Sequence, residues 1–224
     1  MLRTSEDWIE EYQKKKALWF HDGNPLRPHA LLASGKHSNG FFNSRLVITD
    51  EQLLREAAND LIFLYIQLAE DIENIDRVVG PQSGATKLSE FISDEVYELR
   101  GRNCRFASPA KREGLYEKEM FFDGASETVF PGENVLLCED VLTTGGSVEL
   151  ASDTVVKKGG ILLPFVVVLV NRSDQKRVNN KKIICLINRH MPIWQSEACP
   201  LCKDGSEAIY PKDEANWARL NATY

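Results

Sequence analysis

Val135-Leu136-Leu137-Cys138-Glu139-Asp140-Val141-Leu142-Thr143-Thr144-Gly145-Gly146-Ser147 decides how this chain is read. An apolar run of strand character ends in two adjacent carboxylates, and a turn rich in hydroxyls and glycine then opens directly into a helical pattern. Glycines let backbone N–H groups converge, a helix N-terminus adds partial positive charge, and Thr143, Thr144 and Ser147 add hydroxyl donors, so the turn suits a phosphate. Glu139 and Asp140 would repel that phosphate, but ionised carboxylates accept well from a vicinal pair of hydroxyls. Phosphate and diol together describe ribose 5-phosphate. The lysine of a Walker A loop and the Gly-x-Gly-x-x-Gly fingerprint are both missing here, which argues against a nucleotide triphosphatase or a dehydrogenase. The plainer alternative, a polar strand end capped by a helix-starting loop, leaves the density of hydroxyl, glycine and acidic residues unexplained.

Working outward, a helix is expected over 147–158, a long strand over 161–170 and another over 182–188. Upstream, strands are expected over 77–80 and 104–108 around a helix over 85–99. A further helix over about 50–70 repeats Leu54, Ala57, Ala58, Leu61, Ile62, Tyr65 and Ile66 at helical spacing. Before it, an extended pair, 30–33 and 41–48, is joined by a polar loop over 34–40. An N-terminal helix capped by Thr4 or Ser5 ends before His21-Asp22-Gly23-Asn24-Pro25. Strands alternating with helices predict an α/β fold with a twisted, mostly parallel sheet covered by helices on both faces. Ligands then sit outside the carboxyl ends of the strands. The organisation expected is one domain over 1–224, with 1–48 as N-terminal elements, 50–190 as core and 191–224 as a tail.

Composition narrows the class. With 224 residues, 43% hydrophobic and 27% charged, the chain can bury a sizeable core and is neither disordered nor a disulfide miniprotein. No stretch approaches the ~18 apolar residues of a membrane span. The first residues show no basic region followed by an apolar run, so the expected location is cytoplasmic. Twenty-seven basic against 33 acidic residues give a net charge of −6, which argues against generic nucleic-acid binding. Five cysteines, an odd number, fit a reducing compartment. Only Cys199 and Cys202 form a Cys-x-x-Cys; no second such pair and no His-x-x-x-His supplies two more ligands, so the reading is a surface turn around Asp204-Gly205, with zinc or a redox pair as alternatives.

The stretch 139–147 resembles the phosphoribosyl-diphosphate signature of type I phosphoribosyltransferases. Leu32-Ala33-Ser34-Gly35-Lys36-His37-Ser38-Asn39-Gly40-Phe41-Phe42-Asn43 is similar to the segment that orotate phosphoribosyltransferases use around the base, and Asn171-Arg172 falls where they place an arginine facing the orotate carboxylate. Cys199-Pro200-Leu201-Cys202 is similar to the end of one branch of that family. The resemblance implies transfer of ribose 5-phosphate from phosphoribosyl diphosphate to orotate, Mg²⁺ carried by the substrate with Asp140 as a possible ligand, small-molecule partners only, and a homodimer. It implies Asp140, Glu139, Lys111 and Arg112 as catalytic residues. Phosphoribosyl diphosphate would be held by Glu139, Asp140, Val141, Leu142, Thr143, Thr144, Gly145, Gly146 and Ser147. Gln82, Ser83 and Gly84 after a second strand, and Lys118, would join them. The base would meet Ser38, Phe41, Phe42, Thr143 and Arg172, the phenylalanines as an apolar wall or, equally, as core. Arg172 has the fixed donor fork that suits a carboxylate; the bland reading is a surface arginine after a strand.

The segment 109–131 is long for a connection and is expected to be a flexible lid over a polyanion, with a plain hairpin as the alternative. It departs from the family pattern at Leu115 and Glu117, where a lysine and a histidine are usual, and lysines common in the family are also replaced by Ala33 and Gly84. Two other functions share the core motif: transfer to uracil or a purine, and a non-catalytic sensor of phosphoribosyl diphosphate.

Overall fold

In the computed structural model, which describes residues 2–69, 71–113, 118–124 and 128–224, the alternating segments build a six-stranded sheet between helices. The chain opens with α1 (Ser5–Lys14), where Thr4 accepts from the Asp7 N–H and the Asp7 carboxylate accepts from the Thr4 N–H. This reciprocal cap satisfies two of the orphan donors of the first turn. Trp8 and Tyr12 are buried, and the Trp8 indole donates to Asp60 at 3.0 Å.

Four short strands follow: β1 (Leu18–Phe20), β2 (His29–Leu31), β3 (His37–Ser38) and β4 (Gly40–Phe42). The extended pair expected over 30–33 and 41–48 does not form. Gly35, at φ +76°, closes a tight turn in which the Leu32 N–H donates to Lys36, so β2 pairs at once with β3, inside the expected loop. β4 pairs instead with β1, and the rest of the second segment is a short helix, α2 (Arg45–Ile48).

The long α3 (Glu51–Ala69) matches its periodicity, with Leu54, Ala57, Ala58, Leu61, Ile62 and Tyr65 buried. Next come β5 (Arg77–Val79), α4 (Thr86–Arg100), β6 (Arg105–Ala107), β7 (Ala110–Glu113), β8 (Lys118–Phe121), β9 (Asn134–Leu142), α5 (Gly146–Lys157) and β10 (Ile161–Asn171). The C-terminal part holds β11 (Arg177–Val178), β12 (Lys181–Asn188), β13 (Ile193–Trp194), α6 (Pro200–Lys203), β14 (Ala208–Ile209) and α7 (Glu214–Leu220). The main sheet runs β11-β12-β10-β9-β5-β6, parallel throughout except for β11. A second sheet, β13-β3-β2-β14, joins the N-terminal hairpin to the tail.

Two expectations change. β9 was expected to end at Cys138 but continues to Leu142, because β10 pairs with it along its whole length, Val168 with Glu139 and Asn171 with Leu142. Both carboxylates therefore lie within the strand. The segment 109–131 contains a hairpin, β7 with β8, whose second strand is fixed to α5: Met120 is buried and its carbonyl accepts from the Thr154 hydroxyl at 3.1 Å. Leu115 and Glu117 lie outside the described residues.

Arg77 is fully buried at the start of β5 and forms a two-pronged pair with Glu133, Nε to Oε2 at 2.7 Å and Nη2 to Oε1 at 2.9 Å, while Nη1 donates to the Phe106 carbonyl. Removing one partner strands a buried charge, which costs about 3 kcal/mol or more. Glu133→Ala is accordingly expected to lower the free energy of urea unfolding by about 3 kcal/mol, and Arg77→Met/Glu133→Leu to recover most of it. A double variant as unstable as the single one would mean that the pair's packing, and not its charge, matters.

Candidate active site

The parallel order brings the loops after β5, β6, β9 and β10 to one edge of the sheet. After β5, residues 80–84 turn back into α4, with the Gln82–Ser83 peptide bond cis. After β9, residues 143–145 turn into α5. Because β5 and β9 are neighbours, the turn after β5 meets the end of β9: a Cβ at Gly84 would lie 2.6 Å from Asp140 Oδ2. Any side chain at this position would therefore displace the Asp140 carboxylate from its present place.

Gly145 precedes α5 at φ +91° and has no side chain, so among the described residues the first-turn N–H groups receive no N-cap hydrogen bond. That leaves a helix N-terminus with free donors and partial positive charge beside the hydroxyls of Thr143, Thr144 and Ser147, as a phosphate requires. Lys111, on β7, reaches this turn and donates to the Ser147 hydroxyl at 2.7 Å. Adjacent strand residues point to opposite faces. Arg112 accordingly turns away, pairs with Glu119 at 3.1 Å and lies over the Phe121 ring. Of the two cations expected to act, the structure brings only Lys111 to the site. Lys118 is exposed on β8, in register with Glu113, and no hydrogen bond or ion pair among the described residues ties it to the phosphate turn.

Gln82 is also drawn elsewhere, its amide donating to the Ser108 carbonyl at 2.9 Å, while Ser83 is exposed. Glu139 is only 7% exposed and accepts from the Asp140 N–H at 3.2 Å. Burial, reinforced by the adjacent Asp140 charge, raises its pKa well above the carboxylate range, and the Lys111 charge only partly opposes this. Two close carboxylates, one of them buried, fit hydroxyl donors or an oxygen-seeking cation.

Arg172 follows β10, which ends level with β9, Asn171 opposite Leu142, so Arg172 stands beside Thr143 at the same edge. It is 2% exposed, not a surface arginine. Ser38 gives its hydroxyl hydrogen to the Pro192 carbonyl at 2.8 Å and accepts from Arg172 Nη2 at 2.6 Å, which orients the guanidinium. Arg172 makes no ion pair among the described residues, its Nε has no partner there, and burial pulls it down to about 10. The phenylalanines part company. Phe42 is core, edge-on to Tyr12 at 5.3 Å, and forms no free wall; Phe41 packs on Trp217 of α7 at 5.9 Å. The partners of Arg172 and the reach of Lys111 were missed from sequence, because both contacts join segments far apart in the chain.

A glycine and hydroxyl turn for phosphate, paired carboxylates for a diol and a second turn against them, all at the carboxyl edge of this sheet, define a phosphoribosyltransferase. Residues 48–201 match the family model described as a phosphoribosyl transferase domain. Over 212 residues the chain is 31% identical to orotate phosphoribosyltransferase of Nitratiruptor sp., covering 89% of this chain and 98% of that one. It is 33% identical over 194 residues to the orotate phosphoribosyltransferase of Caldicellulosiruptor bescii, covering 86% and 93%. The chain belongs to the orotate phosphoribosyltransferase family. Its fold is that of the orotate phosphoribosyltransferase from Aeropyrum pernix, TM-score 0.56 at 16% identity over 80% of this chain and 92% of that one. Adenine phosphoribosyltransferase from Rhodothermus marinus shares it, TM-score 0.54 at 20% identity over 82% and 99%.

Two outcomes follow from the geometry. Since the Glu139 carboxyl is raised above its ordinary 4.5, the folded state keeps a proton that the unfolded chain releases, and stability is lost as pH rises beyond that value. Glu139→Gln escapes the loss: its Tm is expected to exceed the wild type at pH 8 and to converge with it near pH 4; a pH-independent gap would refute the burial argument. Gly84→Lys, which restores the residue common in the family, is expected to lower kcat/KM about tenfold by displacing Asp140, an effect of roughly 1.4 kcal/mol. Undiminished turnover would mean that the Asp140 carboxylate moves aside without loss of function.

Proposed function

We propose that this protein transfers ribose 5-phosphate from phosphoribosyl diphosphate to orotate, giving orotidine 5′-phosphate and pyrophosphate. The observation that carries the reading is Arg172: a buried guanidinium without a countercharge among the described residues, held in place by Ser38 and aimed from the edge beside Thr143. An unpaired buried cation is costly, and a carboxylate ligand offsets that cost. Uracil and purines carry no carboxylate, which disfavours transfer to those bases.

The 5-phosphate sits in the turn 143–147 on the α5 N-terminus, and the ribose hydroxyls meet Glu139 and Asp140. As pyrophosphate leaves the anomeric carbon, positive charge develops on the sugar; the Asp140 carboxylate stabilises it, Glu139 accepts from the ribose hydroxyls, and Lys111, donating to Ser147, adds positive charge at the 5-phosphate end. Catalysis is then mainly positioning and electrostatics. Mg²⁺ would be held by substrate oxygens with Asp140 in reach, and when bound it neutralises the pyrophosphate. Assembly as a homodimer is inferred from the family resemblance. A reducing, cytoplasmic location fits five free cysteines. No described helix is long and apolar enough to cross a membrane.

Steady-state kinetics tests the reading. Arg172→Ala is expected to raise KM for orotate by about 2 kcal/mol, roughly 30-fold, with a much smaller effect on KM for phosphoribosyl diphosphate. Equal effects on both substrates, or robust wild-type turnover of uracil, would assign Arg172 a structural role and the enzyme another base.

A further inference from the structure

The turn around Asp204-Gly205 is exposed as expected, but the Cys-x-x-Cys before it faces inward. Cys199 is fully buried, and both thiols face two histidines of the N-terminal hairpin, His29 on β2 and His37 on β3. His29 Nε2 lies 3.0 Å from His37 Nδ1, 3.6 Å from Cys199 Sγ and 3.5 Å from Cys202 Sγ, and Cys202 Sγ lies 3.2 Å from His37 Nδ1. All four atoms fall within 4.8 Å of one another. A tetrahedral zinc with Zn–N of about 2.0–2.1 Å and Zn–S of about 2.3 Å spaces its ligands about 3.3 Å apart for N–N and about 3.6 Å for N–S. Four of the six separations, 3.0 to 3.6 Å, come close to those of such a ligand shell, and the other two, from Cys199 to Cys202 and to His37, stay within 4.8 Å.

We propose that His29, His37, Cys199 and Cys202 bind one structural Zn²⁺ that fastens the C-terminal tail to the hairpin carrying Ser38.

A second observation supports the ligand set. Ser206 gives its only hydroxyl hydrogen to the Arg27 carbonyl at 2.6 Å, so at 2.9 Å from His29 Nδ1 its oxygen accepts from the ring N–H. This fixes the tautomer in which Nε2 carries a lone pair directed at the other three groups, the usual support for a zinc-bound imidazole. Binding converts both thiols to thiolates and releases two protons, and Zn²⁺ with two thiolates and two neutral imidazoles is uncharged overall, which suits a buried position. The set is closed, with four protein ligands and no open position, and is therefore structural.

The location explains what the ion does. The second sheet places β13 against β3 and β14 against β2, and the tail between them carries both cysteines. The apolar core of this layer is thin, with Trp19, Ala30, Leu32, Ile209 and Leu220 as its buried members, and thin layers need such a staple. His37 immediately precedes Ser38, the residue that orients Arg172.

The test uses the full chain, purified without chelator and analysed for metal by inductively coupled plasma mass spectrometry. One zinc per chain is expected, falling below a tenth in Cys202→Ser and His37→Asn. Wild type stripped with a chelator is expected to take up Co²⁺ with the visible bands of a tetrahedral site and a thiolate charge-transfer band, and to regain its original Tm on adding Zn²⁺. These readouts need no turnover and stand whatever the base proves to be. Wild type that carries no zinc and takes up no Co²⁺, a Cys199–Cys202 disulfide in fresh protein, or full zinc in both variants would each overturn the proposal. If the variants fail to fold, stripping and reloading the wild type still decides it.

Discussion

Everything at the active edge depends on the parallel pairing of β9 with its two neighbours. Val79, the last residue of β5, pairs with Leu137, whereas β9 runs on to Leu142, five residues further (142 − 137). That overshoot lays Glu139 and Asp140 alongside the loop that follows β5, where Gly84 meets the Asp140 carboxylate. On the other side β10 keeps pace with β9 and stops level with it, which sets Arg172 beside Thr143. A shift in either register would part the groups for phosphate, diol and base. The buried β-branched residues of β10, Val166, Val167, Val168 and Val170, hold that register by packing on both faces.

The site buries titratable groups where a fold selected for stability alone would not. Glu139 is buried next to a second carboxylate, and Arg172 is buried without a counterion among the described residues. Both arrangements work against folding until hydroxyls or a carboxylate arrive, so binding energy and stability draw on the same groups. Arg77 shows the contrast: equally buried, it is matched by both oxygens of Glu133 and serves the core.

The N-terminal and C-terminal segments meet in a layer of their own. One strand of it, β3, carries both a histidine of the four-residue cluster and the serine that orients Arg172, so the order of this layer and the aim of the base-side arginine are mechanically linked. In the 109–131 segment β7 delivers Lys111 to the α5 turn, while Arg112 belongs to the hairpin's own surface.

The sequence alone determined the alternating α/β order, the α3 helix and the phosphate turn, because each is written in local periodicity or in consecutive residues whose chemistry converges over one turn. It marked Arg172 only through the resemblance to a known family. Tertiary structure alone decided that Phe42 is core, that Lys111 and not Arg112 reaches the site, that Gly84 touches Asp140, and that His29 and His37 stand against cysteines some 160 to 170 residues away. These facts depend on strand order and register, which bring together residues with no fixed spacing along the chain; no local pattern encodes them, since the pairing that creates them is a property of the whole packed sheet.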